Sequence, residues 1–241
     1  MIGKTSEDRL LQLSTEFPAA PDYLSTILLI KRDYGEVHNT MLSERLGVSK
    51  PAVSQAVARL KHAGLLRQDS YAPIELTEEG RVLAETIIRR HYLIEHLLIS
   101  SIDYPWENAD EEALRLQTVI SEDLADHLYN SFGRPSVCPH GNPFPGSEAE
   151  PRLLGAPRLT ACEPDTVATI VRITEEGEGL GGLLRFCREN GLRPGTRVSV
   201  TSAAKDSCVK VVADEVAIEI PWAIAVHLAV EESADQASGS M

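Results

Sequence analysis

The alternation of apolar and polar positions is sharpest between Leu42 and Leu66, LSERLGVSKPAVSQAVARLKHAGLL. Leu42, Leu46 and Val48 make one apolar side, and Gly47 stands where a tight turn calls for positive φ. Ser49 then reads as the N-cap of a second helix, with Pro51 in its first turn and Val53, Val57 and Leu60 spaced to pack inward. The spacing predicts a helix-turn-helix. Ser49, Lys50, Ala52, Ser54, Gln55, Arg59 and Lys61 fall between the buried positions. They are small at the helix start and hydrogen-bonding or cationic beyond it, the face that a helix lying in a DNA major groove presents. Ile74-Glu75-Leu76 reads as the second strand of a small hairpin and Thr77 as the cap of the next helix, which makes the motif winged.

The same periodicity organises the rest of the chain. Leu10, Leu11 and Leu13 make a short amphipathic turn before Pro18 and Pro21, a partly ordered arm, and 22–32 (DYLSTILLIKR) is a helix with Tyr23, Ile27 and Ile30 on one side. Residues 77–102 read as one long helix whose Leu83, Ile87, Leu93, Ile94, Leu97 and Leu98 offer more apolar surface than a small domain buries, as a dimer interface would. A further amphipathic helix is expected over 110–132, ended by Gly133-Arg134-Pro135. The Pro- and Gly-rich segment 136–157 reads as a linker. Beyond it the pattern turns strand-like at 167–173, 197–200, 209–212 and 216–220, with a short helix at 183–190 ended by Gly191. That describes a small SH3-like β-barrel. The expected class is α+β, divided into an arm and winged helix-turn-helix (1–88), a helical dimerisation domain (89–135), the linker (136–157) and the barrel (158–241).

The 241 residues, 43% of them hydrophobic, suffice for two or three small cores. No window approaches the roughly 18 consecutive apolar residues of a membrane span, and the start, MIGKTSEDRLL, lacks a signal peptide's apolar core. Cytoplasmic residence is expected. A net charge of −13 argues at first against nucleic acid. Its distribution reverses that: between Lys31 and His91 the cations slightly outnumber the carboxylates, whereas from Glu107 to Asp126 Arg115 alone opposes the acids. No Gly-rich phosphate loop, serine elbow or oriented Cys/His pair is present, so an enzyme is not expected.

With these segments in hand the chain resembles the diphtheria-toxin-repressor-like metalloregulators, iron- or manganese-dependent transcriptional regulators. The carrying segments are DYLSTI (22–27), VSKPAVSQAVARLKHAGLL (48–66), IELTEEGRVLA (74–84), RRHYLIEHLL (89–98), ISEDLADHL (120–128) and CPHGNPFPG (138–146). The C-terminal part, through LLRFCRENGLRPGTRVSV (183–200), looks like the SH3-like domain of ferrous-transport accessory proteins. The resemblance implies a homodimer that represses transcription from a palindromic double-stranded DNA operator when Fe(2+) or Mn(2+) is bound. It also implies that Ser49, Lys50, Pro51, Ala52, Ser54 and Gln55 lie at the groove and that Arg59 reaches a phosphate.

His91 and Glu95, four apart and therefore on one helix face, match family metal ligands and suit a transition metal. Asp22 stands where manganese-type members carry an aspartate. The second ligand helix departs from the family: Leu114, Gln117 and Thr118 occupy the places of stronger ligands, so the principal family site is expected to be lost or rebuilt. Asp110 and Glu178 are further candidate ligands beside His91 and Glu95. Four cysteines without a CxxC pair indicate neither a zinc finger nor a disulfide framework. An alternative effector site places an iron–sulfur cluster, haem or redox centre on Cys138, His140, Cys162 and Cys187, and a metal-independent DNA binder is a further alternative.

Overall fold

The computed structural model describes residues 2–69 and 72–233, with side chains from residue 6 onward. Two compact units result, one built from Met1–Ile94 and Ala113–Arg134, the other from Glu95–Glu112 and Pro135–Met241.

In the first unit the amino-terminal arm is not a loose turn. It is a 15-residue helix, α1 (Ile2–Glu16), which buries Leu10 and Leu13 and ends two residues before Pro18. Helix α2 (Ala20–Tyr34) buries Tyr23, Leu24, Ile27 and Ile30 and is followed by α3 (Asn39–Leu46) and α4 (Lys50–His62). Gly47 joins α3 to α4 at φ +64°, a left-handed conformation that strains any residue with a Cβ. Ser43 Oγ donates to the Val48 carbonyl at 2.6 Å, which fixes the turn. The Ser49 hydroxyl caps α4 by accepting from the Ala52 backbone N–H, with Pro51 in the first turn. Val53, Ala56, Val57 and Leu60 face inward. Strands β1 (Leu66–Arg67) and β2 (Glu75–Leu76) pair antiparallel, Leu66 opposite Leu76, and form the wing. Thr77 then caps α5 (Glu78–His96), its hydroxyl accepting from the Gly80 N–H.

The two long helices expected from periodicity are both interrupted. Helix α5 ends at His96 and a wider π-turn, Leu97–Ser101, follows it. The helix expected over 110–132 is two helices, α6 (Ala109–Leu116) and α7 (Glu122–Ser131). Thr118, Val119 and Ile120 are β-branched and resist continuation, while the Ser121 hydroxyl restarts the helix by accepting from the Leu124 N–H.

The second unit is built on a five-stranded antiparallel sheet in the order β6-β5-β4-β3-β7. Its strands are β3 (Val167–Ile173), β4 (Arg197–Ala204), β5 (Cys208–Ala213), β6 (Val216–Pro221) and β7 (Leu228–Glu232); the short helix α8 (Glu150–Leu154) precedes them, and α9 (Glu175–Glu178), α10 (Leu183–Glu189) and α11 (Trp222–Ala225) lie between them. Register breaks in β3 between Ile170 and Arg172, and in β4 between Val200 and Ser202, add local twist. Ile170, Val198, Val200, Val209, Val211, Ile220 and Val230 supply the sheet side of the core, closed by Leu159, Leu183, Leu184 and Trp106.

The segment 136–157 is not a linker. Val137 bridges to Pro143, Cys138 N–H donates to the Asn142 carbonyl at 2.8 Å, and the His140 carbonyl accepts from Ile173 N–H at 2.9 Å. His140 and Asn142 are fully buried. Gly141, at φ +91°, passes so close to β3 that a Cβ there would overlap the Val171 carbonyl. Proline and glycine make this a tight, docked turn, not a spacer.

Candidate functional site

Two sets of candidate functional side chains emerge, one in each unit. In the first, α4 exposes Ser49, Lys50, Pro51, Ser54, Gln55 and Arg59, with Ala52 half-buried between them. Ser54 Oγ folds back on the Lys50 carbonyl at 3.1 Å, and Lys61 Nζ donates to the Gln68 carbonyl at 2.5 Å, tying the end of α4 to the wing. Arg59 does not extend freely outward: Nη2 donates to the Glu16 carbonyl at 2.9 Å and the guanidinium lies 4.2 Å over the Phe17 ring.

Several candidate ligands also lie in this unit. His91 is buried, and its Nδ1 pairs with Gln117 Oε1 at 3.2 Å. Leu114 and Thr118 are exposed, so the positions expected to lack strong ligands offer none, and Gln117 serves as a hydrogen-bond partner. Asp22 is half-buried in the first turn of α2, and burial raises its pKa above the usual carboxylate value. It belongs to no group of three potential ligands among the described residues.

The second unit contains a tighter constellation. One ligand atom from each of Glu95, Cys138 and His140 lies within 4.8 Å of the other two, and all three residues are buried. Glu95 Oε1 is 3.0 Å from His140 Nδ1, and Glu178 Oε2 is 3.6 Å from the same nitrogen. Asn142 holds Glu178 by a short hydrogen bond from Nδ2 to Oε1 while also donating to the Ile173 carbonyl at 2.8 Å. The other ring nitrogen of His140, Nε2, faces the Trp106 carbonyl at 3.2 Å, and the indole packs against the imidazole with ring centroids 4.6 Å apart.

Electrostatics follow from this burial. Desolvation pushes the Cys138 thiol well above its usual pKa, and the nearby Glu95, Glu178 and Glu175 carboxylates push the same way. For His140 burial acts to lower the pKa. The Glu95 charge and hydrogen bond, with Asp110 and the Trp106 carbonyl, outweigh it and leave the ring above its usual value. Both ring nitrogens face acceptors, which favours an imidazolium beside a protonated thiol. Loss of the Nδ1 proton would leave Nε2–H on the Trp106 carbonyl and turn the Nδ1 lone pair toward Glu95 and Glu178. An outer partner commonly sets a ligand histidine's tautomer in this way. Carboxylate, imidazole and thiolate donors together fit a divalent transition ion better than calcium or magnesium, which prefer all-oxygen shells.

The structure therefore regroups the sequence candidates. Glu95 and Glu178 are brought together with Cys138 and His140, two residues of the alternative cluster or haem site. Cys162 and Cys187 are not with them. Both are buried in the apolar core of the second unit, where burial raises the Cys162 pKa and pushes the Cys187 thiol up to about 12. An inert core thiol accounts for each, which removes the four-residue cluster. Asp110 is half-buried on α6, and as expected one of its carboxylate oxygens lies within 4.8 Å of one from Glu95. Trp106 and Asn142, which orient His140 and Glu178, carried no signal in the sequence, since each acts through tertiary contact alone.

Among the described residues no helix is long and apolar enough to cross a membrane. Comparison with known proteins gives three matched segments. Residues 17–73 match the iron dependent repressor N-terminal DNA binding domain, 77–146 the iron dependent repressor metal binding and dimerisation domain, and 158–232 the FeoA domain. The iron-dependent repressor IdeR of Mycobacterium tuberculosis is 33% identical over 221 residues, covering 87% of this chain and 95% of that protein. Among solved structures, a manganese-dependent transcriptional repressor in complex with manganese superposes with a TM-score of 0.77 at 27% identity, covering 89% of this chain and all of that one. The structure of IdeR from T. acidophilum superposes with a TM-score of 0.71 at 31% identity, covering 88% of this chain and 97% of that one.

Proposed function

Because the chain belongs to the iron-dependent repressor family, we propose that it is a cytoplasmic, homodimeric transcriptional repressor that reads a palindromic DNA operator under the control of Fe(2+) or Mn(2+). The reading assigns the protein no catalytic step. The observation that carries it is the buried set of Glu95, Cys138, His140 and Glu178 within the same chain as a winged helix-turn-helix. A protein seldom buries two carboxylates, an imidazole and a thiol together without a partner for their charge.

Glu95, Cys138, His140 and Glu178 would hold the ion. Once bound, the metal supplies the positive charge that offsets two carboxylates and a thiolate in a dry site. Cys138 and His140 each give up a proton, Trp106 keeps the other ring proton in place, and Asn142 holds Glu178 in its rotamer. Glu95 belongs to α5, the helix that begins directly after the wing at Thr77, so the chain links this ligand to the reading head through one element. His91, paired with Gln117, supports that helix and is not required as a ligand in this reading. On DNA, Ser49, Lys50, Pro51, Ala52, Ser54 and Gln55 meet the major groove, and Gln55 is the side chain able to read a base edge by paired hydrogen bonds. Two recognition helices in a dimer then address half-sites roughly 34–36 Å apart or a multiple of it.

The test is a titration of full-length protein with Mn(2+) and with anaerobic Fe(2+) against the duplex that the wild type selects from a randomised library. Either ion should tighten binding, and His140→Ala should bind without responding to either. Gln55→Ala should relax base preference at one position by about 1–3 kcal/mol. Equal affinity with and without metal, in wild type and His140→Ala alike, removes the metal-responsive reading.

A further inference from the structure

Residues 2–16 precede the matched DNA-binding segment, which starts at residue 17, yet α1 is joined by side chains to three other helices of its unit. Near its start, Glu7 Oε1 accepts from the backbone N–H of Glu122 at 3.2 Å, in the first turn of α7, and lies 3.9 Å from Arg90 Nη2 on α5. Arg9 Nε pairs with Glu79 Oε1 at 2.8 Å, in the first turn of α5, while its Nη2 donates to the Ala63 carbonyl at 3.2 Å, where α4 ends. A cation placed there also complements the negative end of the α4 dipole. At the far end of α1, the Glu16 carbonyl takes the hydrogen bond from Arg59, and Phe17 takes the face of its guanidinium.

Arg59 lies one turn beyond Gln55 on the exposed face of α4, so two roles compete for it. It either reaches a DNA phosphate, as expected from sequence, or it anchors α4 to α1. Reaching a phosphate would cost both the hydrogen bond to Glu16 and the stacking on Phe17. We infer that α1 is a brace that positions the reading helix for DNA, with Arg59 as a positioning residue at its hub and Glu7 and Arg9 as its ties to α7, α5 and the end of α4. This rests on the DNA-reading function proposed above. The brace fixes the end of α4 against α5 and α7 within one protomer, so that the direction in which Gln55 points does not drift.

The experiment uses Mn(2+)-loaded full-length protein and the duplex selected by the wild type, with the active fraction set by stoichiometric titration. Arg59→Ala should weaken binding about five- to seventyfold, the size of an exposed cation–π contact plus a hydrogen bond, and Phe17→Leu, which removes the ring alone, about two- to fivefold. The double variant should be no weaker than Arg59→Ala, and the slope of log affinity against log salt should stay at the wild-type value. Arg59→Lys, which keeps the charge but lacks the planar fork that stacks on Phe17 while donating to Glu16, should weaken binding about as much as Phe17→Leu does. A phosphate contact gives the opposite pattern and overturns the inference: the slope falls by about 0.9, losses from Arg59→Ala and Phe17→Leu add, and Arg59→Lys binds like wild type. Should Arg59→Ala fail to fold, Arg59→Lys with Phe17→Leu decides by the same two readouts. If the wild type selects no duplex, the DNA reading itself fails, an outcome distinct from any result of the variants.

Discussion

At the scale of single residues, the proposed metal site turns on two protons. Cys138 and His140 both hold theirs above the usual pKa, the first mainly through burial, the second because Glu95 and its neighbours overcome burial. A metal competes with both protons, so affinity for Mn(2+) should rise with pH, by up to about tenfold per pH unit for each proton displaced. The sign is set by the raised pKa values: below the His140 pKa both protons must leave, above it only the thiol proton. Calorimetric titration in buffers of different ionisation enthalpy counts the protons released, and a pH-independent affinity would contradict this assignment. All four residues of the constellation were visible in the sequence as candidates. Their grouping was not, because Cys138 and His140 are more than forty residues from Glu95 and nearly as far from Glu178, and spacing carries no information at that range.

At the scale of elements, local signals read well where a side chain acts on its own backbone. Ser49 and Thr77 cap their helices and Gly47 makes its turn as expected. Those signals misled where tertiary contact overrode composition. Proline and glycine in 136–157 suggested a spacer, but backbone pairing with β3 docks the segment and carries Cys138 and His140 inward. Gly141 is the pivot of that docking. Gly141→Ala combines a left-handed φ with an overlap against the Val171 carbonyl, a cost of about 2–4 kcal/mol. Urea denaturation followed by a second-unit probe such as Trp106 should report the loss, together with weakened Mn(2+) binding. A variant as stable as wild type would mean that β3 gives way at little cost. Helix ends were the least legible features: the break between α6 and α7 depends on the Ser121 cap outweighing an otherwise continuous amphipathic pattern.

At the scale of the molecule, the four residues proposed as ligands belong to one unit and the proposed reading helix to the other. Metal binding should therefore stabilise the second unit directly. At a free ion concentration of 100 times Kd the gain is about 2.7 kcal/mol, read as an upward shift of that unit's melting transition in scanning calorimetry. Chelation should reverse the shift and His140→Ala should abolish it; a shift that survives His140→Ala would place the ion elsewhere. The sequence by itself determined the helix-turn-helix, the wing, the strand-rich C-terminal part and the residue types available for ligation, because each depends on periodicity, capping or composition within a short window. Only the tertiary structure decided which ligands share a site, that Cys162 and Cys187 are core, and that Arg59 turns back to Glu16 and Phe17. Those outcomes depend on distances between residues far apart in the chain, which are set by packing and not by local pattern.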